Sequence, residues 1–317
     1  MIVTTTTRKP SRKTFVQRAA ADLVKNRYVY IMLLPIVIYY LLFHYGPLAG
    51  VMIAFKQFSP GLGILRSPWV GFKHFIDFLT GPYFERTFFN TLSINVMSLV
   101  IGFPIPIILA ILLDEVRHTV FRRTVQTITY LPHFISLVVI CGMIKDFTGR
   151  EGLINDIISF FNADHVGANL LSSKPLFQPI YVLSGIWQEV GWGTIIYLAA
   201  LSAVDPALND AVCIDGGNRF HRVWHISLPS IMPTIIILLI LRIGAMTALG
   251  YEKIILLYNP SIYETSDVIS SYVYRRGIVE MNYSFSSAVG LFSSVINLIL
   301  VVSANWLSRT MTKESLW

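Results

Sequence analysis

Apolar and polar positions alternate along this chain in long blocks. Apolar runs occupy approximately residues 28–46, 87–113, 128–147, 176–203, 230–258 and 283–308, with polar connections between them. Each is close to the roughly 20 residues needed to cross a hydrocarbon core of about 30 Å, so the pattern predicts an all-α membrane protein with six transmembrane helices. The first run is too long for the apolar core of a cleaved signal peptide and no small-x-small site follows it, so it is expected to remain as a helix. Pro35, Gly102, Pro104, Pro106, Gly191, Gly193 and Gly244 lie inside runs. Neighbouring helices can re-satisfy the backbone groups such residues free, so kinks rather than breaks are expected there.

Composition agrees with the pattern. Hydrophobic residues make up 54% of 317 positions and charged residues 14%, and mean hydropathy is +0.61; a soluble domain carries about 25% charge. Lys and Arg in the short connections set orientation. Arg8, Lys9, Arg12, Lys13, Arg18, Lys25 and Arg27 crowd the first 27 residues, with further bases at 114–127, 204–229 and in the tail. Both termini and the 204–229 connection are therefore expected on the cytoplasmic side. This divides the chain into a basic segment 1–27, a membrane domain 28–308 and a cytoplasmic tail 309–317. The net charge of +7 belongs to the inner face, where anionic lipid attracts it, and is not a nucleic-acid signal.

Site chemistry is mostly excluded. There is no G-x-x-x-x-G-K-[ST] phosphate loop and no G-x-S-x-G elbow. His221 and His225 are spaced like metal ligands but lack the acidic partner of a zinc hydrolase. Cys141 falls in a predicted span and Cys213 in a predicted cytoplasmic connection, where a disulfide is not expected. No metal or cofactor is expected in this chain.

One polar segment stands out between the fourth and fifth runs. Asp205-Pro206 suits a helix start, since Asp caps free N–H groups and Pro fits the first helical position. Leu208, Ala211, Val212 and Asp215 then share one side, Gly216-Gly217 can end the helix in a left-handed conformation, and Asn218 can cap a second arm with a Phe220, Val223, Trp224 stripe. Leu228-Pro229 is expected to end that second arm. The first arm carries Asp205, Asp210 and Asp215 with no base, so it is repelled by an anionic leaflet. A protein partner explains it better than a lipid surface.

Residues 210–233, DAVCIDGGNRFHRVWHISLPSIMP, resemble the EAA loop of binding-protein-dependent ABC importers, whose pattern runs E-A-A-x-x-D-G-A and closes on L-P. Asp215, Gly216, Phe220, Leu228 and Pro229 stand at matching positions; Asp210 replaces Glu, Val212 the second Ala and Gly217 the last Ala. The segments KNRYVYIMLLP (25–35), GVMIAFKQFSP (50–60), SPWVGFKHF (67–75) and WQEVGWGTIIYLAAL (187–201) are similar to saccharide-import permeases of the polysaccharide and lipo-oligosaccharide branch. The resemblance implies the type I ABC importer permease fold in a bacterial cytoplasmic membrane. It implies a second homologous permease as heterodimer partner, two ATPase subunits that bind the ATP and Mg, and an extracytoplasmic solute-binding protein. It also implies that Asp210, Ala211, Asp215, Gly216, Phe220, Leu228 and Pro229 form the ATPase-coupling elbow.

Glu189 and Arg242 fall near the middle of the fourth and fifth runs. Charges there are costly and face a cavity or each other. A mutual ion pair, contact with substrate and a water-lined wall all fit. Trp187, Gln188, Trp192, Asn297 and Asn305 lie nearby in the pattern. Aromatic faces and amides suit a saccharide path, while interfacial Trp and interhelical Asn contacts would explain the same residues. A self-sufficient secondary transporter is the alternative reading. Such a protein shows inverted repeats, which are not evident here.

Overall fold

The computed structural model describes residues 22–162, 166–312 and 315–316, and the side chains of Cys213 and Thr312 also lie outside the description. Most of the basic N-terminal segment, including Arg8, Lys9, Arg12, Lys13 and Arg18, and Lys313 of the tail fall outside the described residues. The chain divides into two compact units, 1–52 and 53–317.

Helices dominate the described residues of both units. They are α1 (Arg27–Phe55), α2 (Lys73–Leu79), α3 (Phe84–Asp114), α4 (Thr119–Phe134), α5 (Leu137–Thr148), α6 (Leu153–Phe161), α7 (Lys174–Ser202), α8 (Pro206–Ile214), α9 (Arg219–Gly244), α10 (Tyr251–Leu257), α11 (Ile269–Tyr274) and α12 (Tyr283–Thr312). Among the described residues β-pairing amounts to one isolated bridge, Lys56 to Trp69. α1, α3, α9 and α12 are each long and apolar enough to cross a membrane, and two bent helix pairs bring the number to six if each pair is one span.

Prolines shape these helices through wide turns. Three five-residue π-helical turns, Leu41–Tyr45, Ser98–Gly102 and Val223–Ser227, each end two residues before a proline: Pro47, Pro104 and Pro229. A proline ring collides with the carbonyl four residues back, here that of Phe43, Val100 or His225, the middle residue of each π turn. Widening the turn at that residue relieves the collision and lets the helix continue. Pro229 therefore does not end the second arm of the 205–229 segment, contrary to the sequence expectation. That arm is the start of α9 and continues through it without interruption.

Two predicted spans are broken. The run at 128–147 is a pair, Thr119–Phe134 and Leu137–Phe161, bent by 101°. Pro132 starts a 3-10 turn over Leu131–Phe134, and the Ser136 hydroxyl then caps a new helix by accepting from the Val139 N–H. The run at 230–258 ends as a helix at Gly244. Beyond it, the Thr247 N–H and hydroxyl donate to Asn297 Oδ1 at 3.0 and 2.8 Å, a side-chain acceptor that replaces the helical one. α10 then starts afresh at Tyr251.

Lipid supplies little hydrophobic drive between spans, so close approach and buried polar ties hold them. α7 is the central strut of the second unit and continues as one helix through Gly191 and Gly193. A Cβ at Gly191 would stand 2.1 Å from the Thr129 carbonyl oxygen, so the end of α4 lies directly on α7. Towards its C-terminus α7 buries Tyr197 and Leu201 against Ile107 and Ala110 of α3 and Ile231 of α9. Towards its N-terminus Phe177, Tyr181 and Val182 join Ile94, Ile140, Cys141 and Ile254. At that end the fully buried Asp267 binds Arg86 at 2.8 Å and Arg275 at 2.7 Å, and Asn90 donates to the carbonyls of Glu264 and Asp267.

Candidate functional site

Two features answer the sequence expectations: the 205–229 elbow at one end of α7, and a cavity along its middle.

The elbow is assembled almost wholly from local bonds. Asp205 Oδ1 accepts from the Ala207 N–H at 2.9 Å and starts α8. Gly216 has φ +75°, and the Gly217 N–H donates back to the Val212 carbonyl at 2.8 Å, the bond that closes a Schellman-type helix end. Asn218 Oδ1 then accepts from the His221 N–H at 3.0 Å and caps α9. Among the motif residues Asp210, Ala211, Asp215, Gly216 and Phe220 are exposed, whereas Leu228 and Pro229 sit within the continuous helix. Leu208, Ile214, Phe220 and Trp224 present an apolar surface, with the Phe220 and Trp224 rings stacked at 6.2 Å.

Two departures from the importer pattern answer each other. A Cβ at Gly217 would lie 2.4 Å from Val212 Cγ1, so the valine fills the space that an alanine at 217 would use. Apolar volume has moved from one side of the turn to the other.

The elbow also has one distant anchor. Arg222 grips Glu115, just past the end of α3, through both nitrogens: Nε donates to Oε1 at 2.9 Å and Nη2 to Oε2. Asp114 and Arg122 belong to the same charged cluster.

The cavity, about 590 Å³, is lined by Asn95, Ser98 and Phe103 of α3, by Tyr181, Gln188, Glu189 and Trp192 of α7, and by Arg242 and Lys253. The expected meeting of Gln188, Glu189, Trp192 and Arg242 thus occurs. Trp187 does not line this cavity, Asn297 is occupied by Thr247, and Asn305 accepts from the Leu316 N–H at 2.8 Å.

Of the three readings of Glu189 and Arg242, the mutual ion pair is not what the structure shows. No Glu189–Arg242 ion pair forms among the described residues; Glu189 Oε2 meets His133 Nδ1 at 3.0 Å. The His133 ring also lies on Trp192, centroids 4.4 Å apart and planes 4° from parallel. Arg242 is exposed on this chain rather than buried, and lies two residues before the end of α9. The buried cation of the cavity wall is Lys253, 8% exposed, which donates to the Tyr181 carbonyl at 3.1 Å and lies over the Tyr181 ring. Gly185 makes room for it: a Cβ there would stand 3.3 Å from Lys253 Nζ. His133 and Lys253 were open to detection, since each is an ionisable group inside a predicted apolar run, and such groups are functional candidates in themselves. Their grouping around α7 depends on the two chain breaks.

Comparison with known proteins places this geometry. The family described as "Binding-protein-dependent transport system inner membrane component" matches residues 102–313. The polygalacturonan/rhamnogalacturonan transport system permease protein YteP of Bacillus subtilis (strain 168) is 44% identical, covering 95% of this chain and 94% of the relative. LplB of the same organism is 43% identical, covering 94% and 93%. A chain from the crystal structure of a bacterial alginate ABC transporter, in complex with alginate pentasaccharide-bound periplasmic protein, superposes with TM-score 0.86 at 40% identity. That match covers 94% of this chain and all of the other. A secondary transporter has no place in these relationships. The chain belongs to the binding-protein-dependent transport system inner membrane component family, as the multi-pass permease of a sugar or polysaccharide ABC importer.

Proposed function

We propose that this permease imports oligosaccharides that carry carboxylates. The observation behind this reading is the charge balance of the cavity: Glu189 is engaged by His133, while Arg242 and Lys253 face the same space with no carboxylate partner among the described residues. An Arg fork and a Lys point charge are complementary to uronate groups. The Trp192 face and the Gln188 amide suit the sugar ring and its hydroxyls. The names of two relatives, one a polygalacturonan/rhamnogalacturonan permease and one an alginate transporter, support the same class.

In this reading the chain works as one half of a permease heterodimer in a bacterial cytoplasmic membrane, with both termini and the elbow on the cytoplasmic side. Two ATPase subunits bind the ATP and Mg and dock on the exposed elbow through Asp210, Ala211, Asp215, Gly216 and Phe220. Leu228 and Pro229, inside α9, carry the motion along it. An extracytoplasmic binding protein delivers the ligand. The chain supplies no ATPase site and holds no cofactor of its own.

The test is ligand-stimulated ATP hydrolysis by the assembled complex with size-matched uronate and neutral oligosaccharides. Arg242→Gln and Lys253→Met are expected to depress the response to the uronate ligand at least about tenfold more than that to the neutral one, the scale of one lost charge-assisted contact. Equal losses with both ligands would sink the acidic-substrate reading.

A further inference from the structure

The Glu115–Arg222 contact joins residues 107 apart in sequence at the end of the molecule that carries the elbow. Glu115 follows the last residue of α3, and Arg222 sits in the first turn of α9. The contact is bidentate, and the side chains are 13% and 23% exposed, so water competes weakly for it. It differs from an ordinary surface pair in what it connects.

The two arms of the elbow are attached differently. The first arm, α8, leaves α7 through a turn at 203–205 with a bend of 78°. The second arm has no joint below it, because it is the first part of α9 and the π turn carries that helix on through Pro229. A push on the first arm therefore passes through the Gly216–Gly217 turn and enters α9 along its axis. Further along, Ile231 packs α9 against α3 and α7; ahead of that packing, the polar tie at Arg222 is what joins the first turn of α9 to the end of α3. Arg222 lies on the load path, immediately before the π turn, and its guanidinium is held by α3.

Both helices so joined line the cavity together with α7 residues. α3 contributes Asn95, Ser98, Gly102, Phe103 and Pro106 to the wall, and α9 contributes Leu238 and Arg242. We propose that Glu115 and Arg222 form a coupling strut: two positioning residues that make α3 and α9 respond to the elbow as one lever, so that cavity walls on both helices shift together. This rests on the reading of 205–229 as the ATPase-facing elbow.

The experiment uses the complete transporter in proteoliposomes, reading saccharide imported per ATP hydrolysed. Glu115→Gln and Arg222→Gln are each expected to lower that ratio about tenfold, the size of a coupling energy within a charged network. Arg222→Lys, which keeps charge and loses the fork, should fall between. The exchange Glu115→Arg with Arg222→Glu should return the ratio to within about twofold of the native value, as pairwise coupling requires. A single variant with native transport per ATP would overturn the strut, as would an exchange no better than the singles. If single variants do not assemble, Glu115→Cys with Arg222→Cys, in a background with Cys141 and Cys213 replaced, decides the matter. Joining that pair with a short bifunctional thiol reagent should restore the ratio, and failure to restore it overturns the proposal. A native complex whose ATP hydrolysis ignores every saccharide would instead break the transport reading, independently of the strut.

Discussion

The elbow follows the end of α7 and the cavity runs along its middle, and the two are built by opposite means. Inside the elbow the shaping bonds span at most five residues: Asp205 to Ala207, Val212 to Gly217, Asn218 to His221. The cavity gathers residues from positions 95 to 253, and its decisive contact, His133 with Glu189, crosses 56 residues. A local device keeps its geometry wherever it is carried and can be offered bare to a partner, as the exposed Phe220 and Trp224 are. A collected device exists only while several helices stay in register, and it can change shape when they move.

The contrast is broken most severely at Gly191. In Gly191→Leu the side chain would begin 2.1 Å from the Thr129 carbonyl oxygen, forcing α4 off α7 and carrying His133 away from Glu189. Overpacking against backbone is expected to cost about 3 kcal/mol or more, seen as a large fall in the thermal midpoint of the detergent-purified complex. The elbow, being local, should keep its conformation, which thiol labelling at its tip can follow. A well-folded Gly191→Leu protein of native stability would show that the cavity does not depend on this approach.

Gly216→Val strikes the other region. Nothing lies within 4 Å of the added Cβ, so the effect is purely conformational: φ +75° is a left-handed angle that costs a β-branched residue about 2 kcal/mol. The helical circular dichroism of the protein should be unchanged, while ligand-stimulated ATP hydrolysis or retention of the ATPase subunits is lost. Full stimulated turnover with normal assembly would remove the elbow from the coupling path.

A smaller effect sharpens the local logic. Gly217→Ala should cost about 1 kcal/mol, because Val212 Cγ1 occupies the space its methyl needs. Val212→Ala with Gly217→Ala should recover most of that loss, since the double variant restores the volumes of the importer pattern. A double-mutant cycle on stimulated ATP hydrolysis measures this, and strict additivity would contradict the exchange.

The last test costs no stability. A cysteine at Ala207, in the exposed first arm, should react with a membrane-impermeant reagent only from the cytoplasmic face, and one at the exposed Phe160 only from outside. The reverse pattern would invert the orientation set by the N-terminal Lys and Arg cluster.

Much of this protein was legible in one dimension. Residue hydropathy over about 20 positions determines where α1, α3 and α12 cross, because the hydrocarbon core rewards an apolar run whatever its neighbours do. The elbow was legible for a related reason: caps, a left-handed glycine and a Schellman bond are short-range, so their residues are adjacent in sequence. Where a helix stops inside an apolar run was decided elsewhere. Thr247 leaves the helix because Asn297, 50 residues on, supplies its acceptor, and Leu228-Pro229 stays helical because the π turn before it absorbs the proline. Those two decisions put Arg242 at a helix end and Lys253 in the interior, and the bend at 131–136 sets His133 on Trp192 and against Glu189. Apolar runs record burial in lipid but not the distant side chain that takes up a freed backbone group, and in this protein that pairing is what makes the cavity.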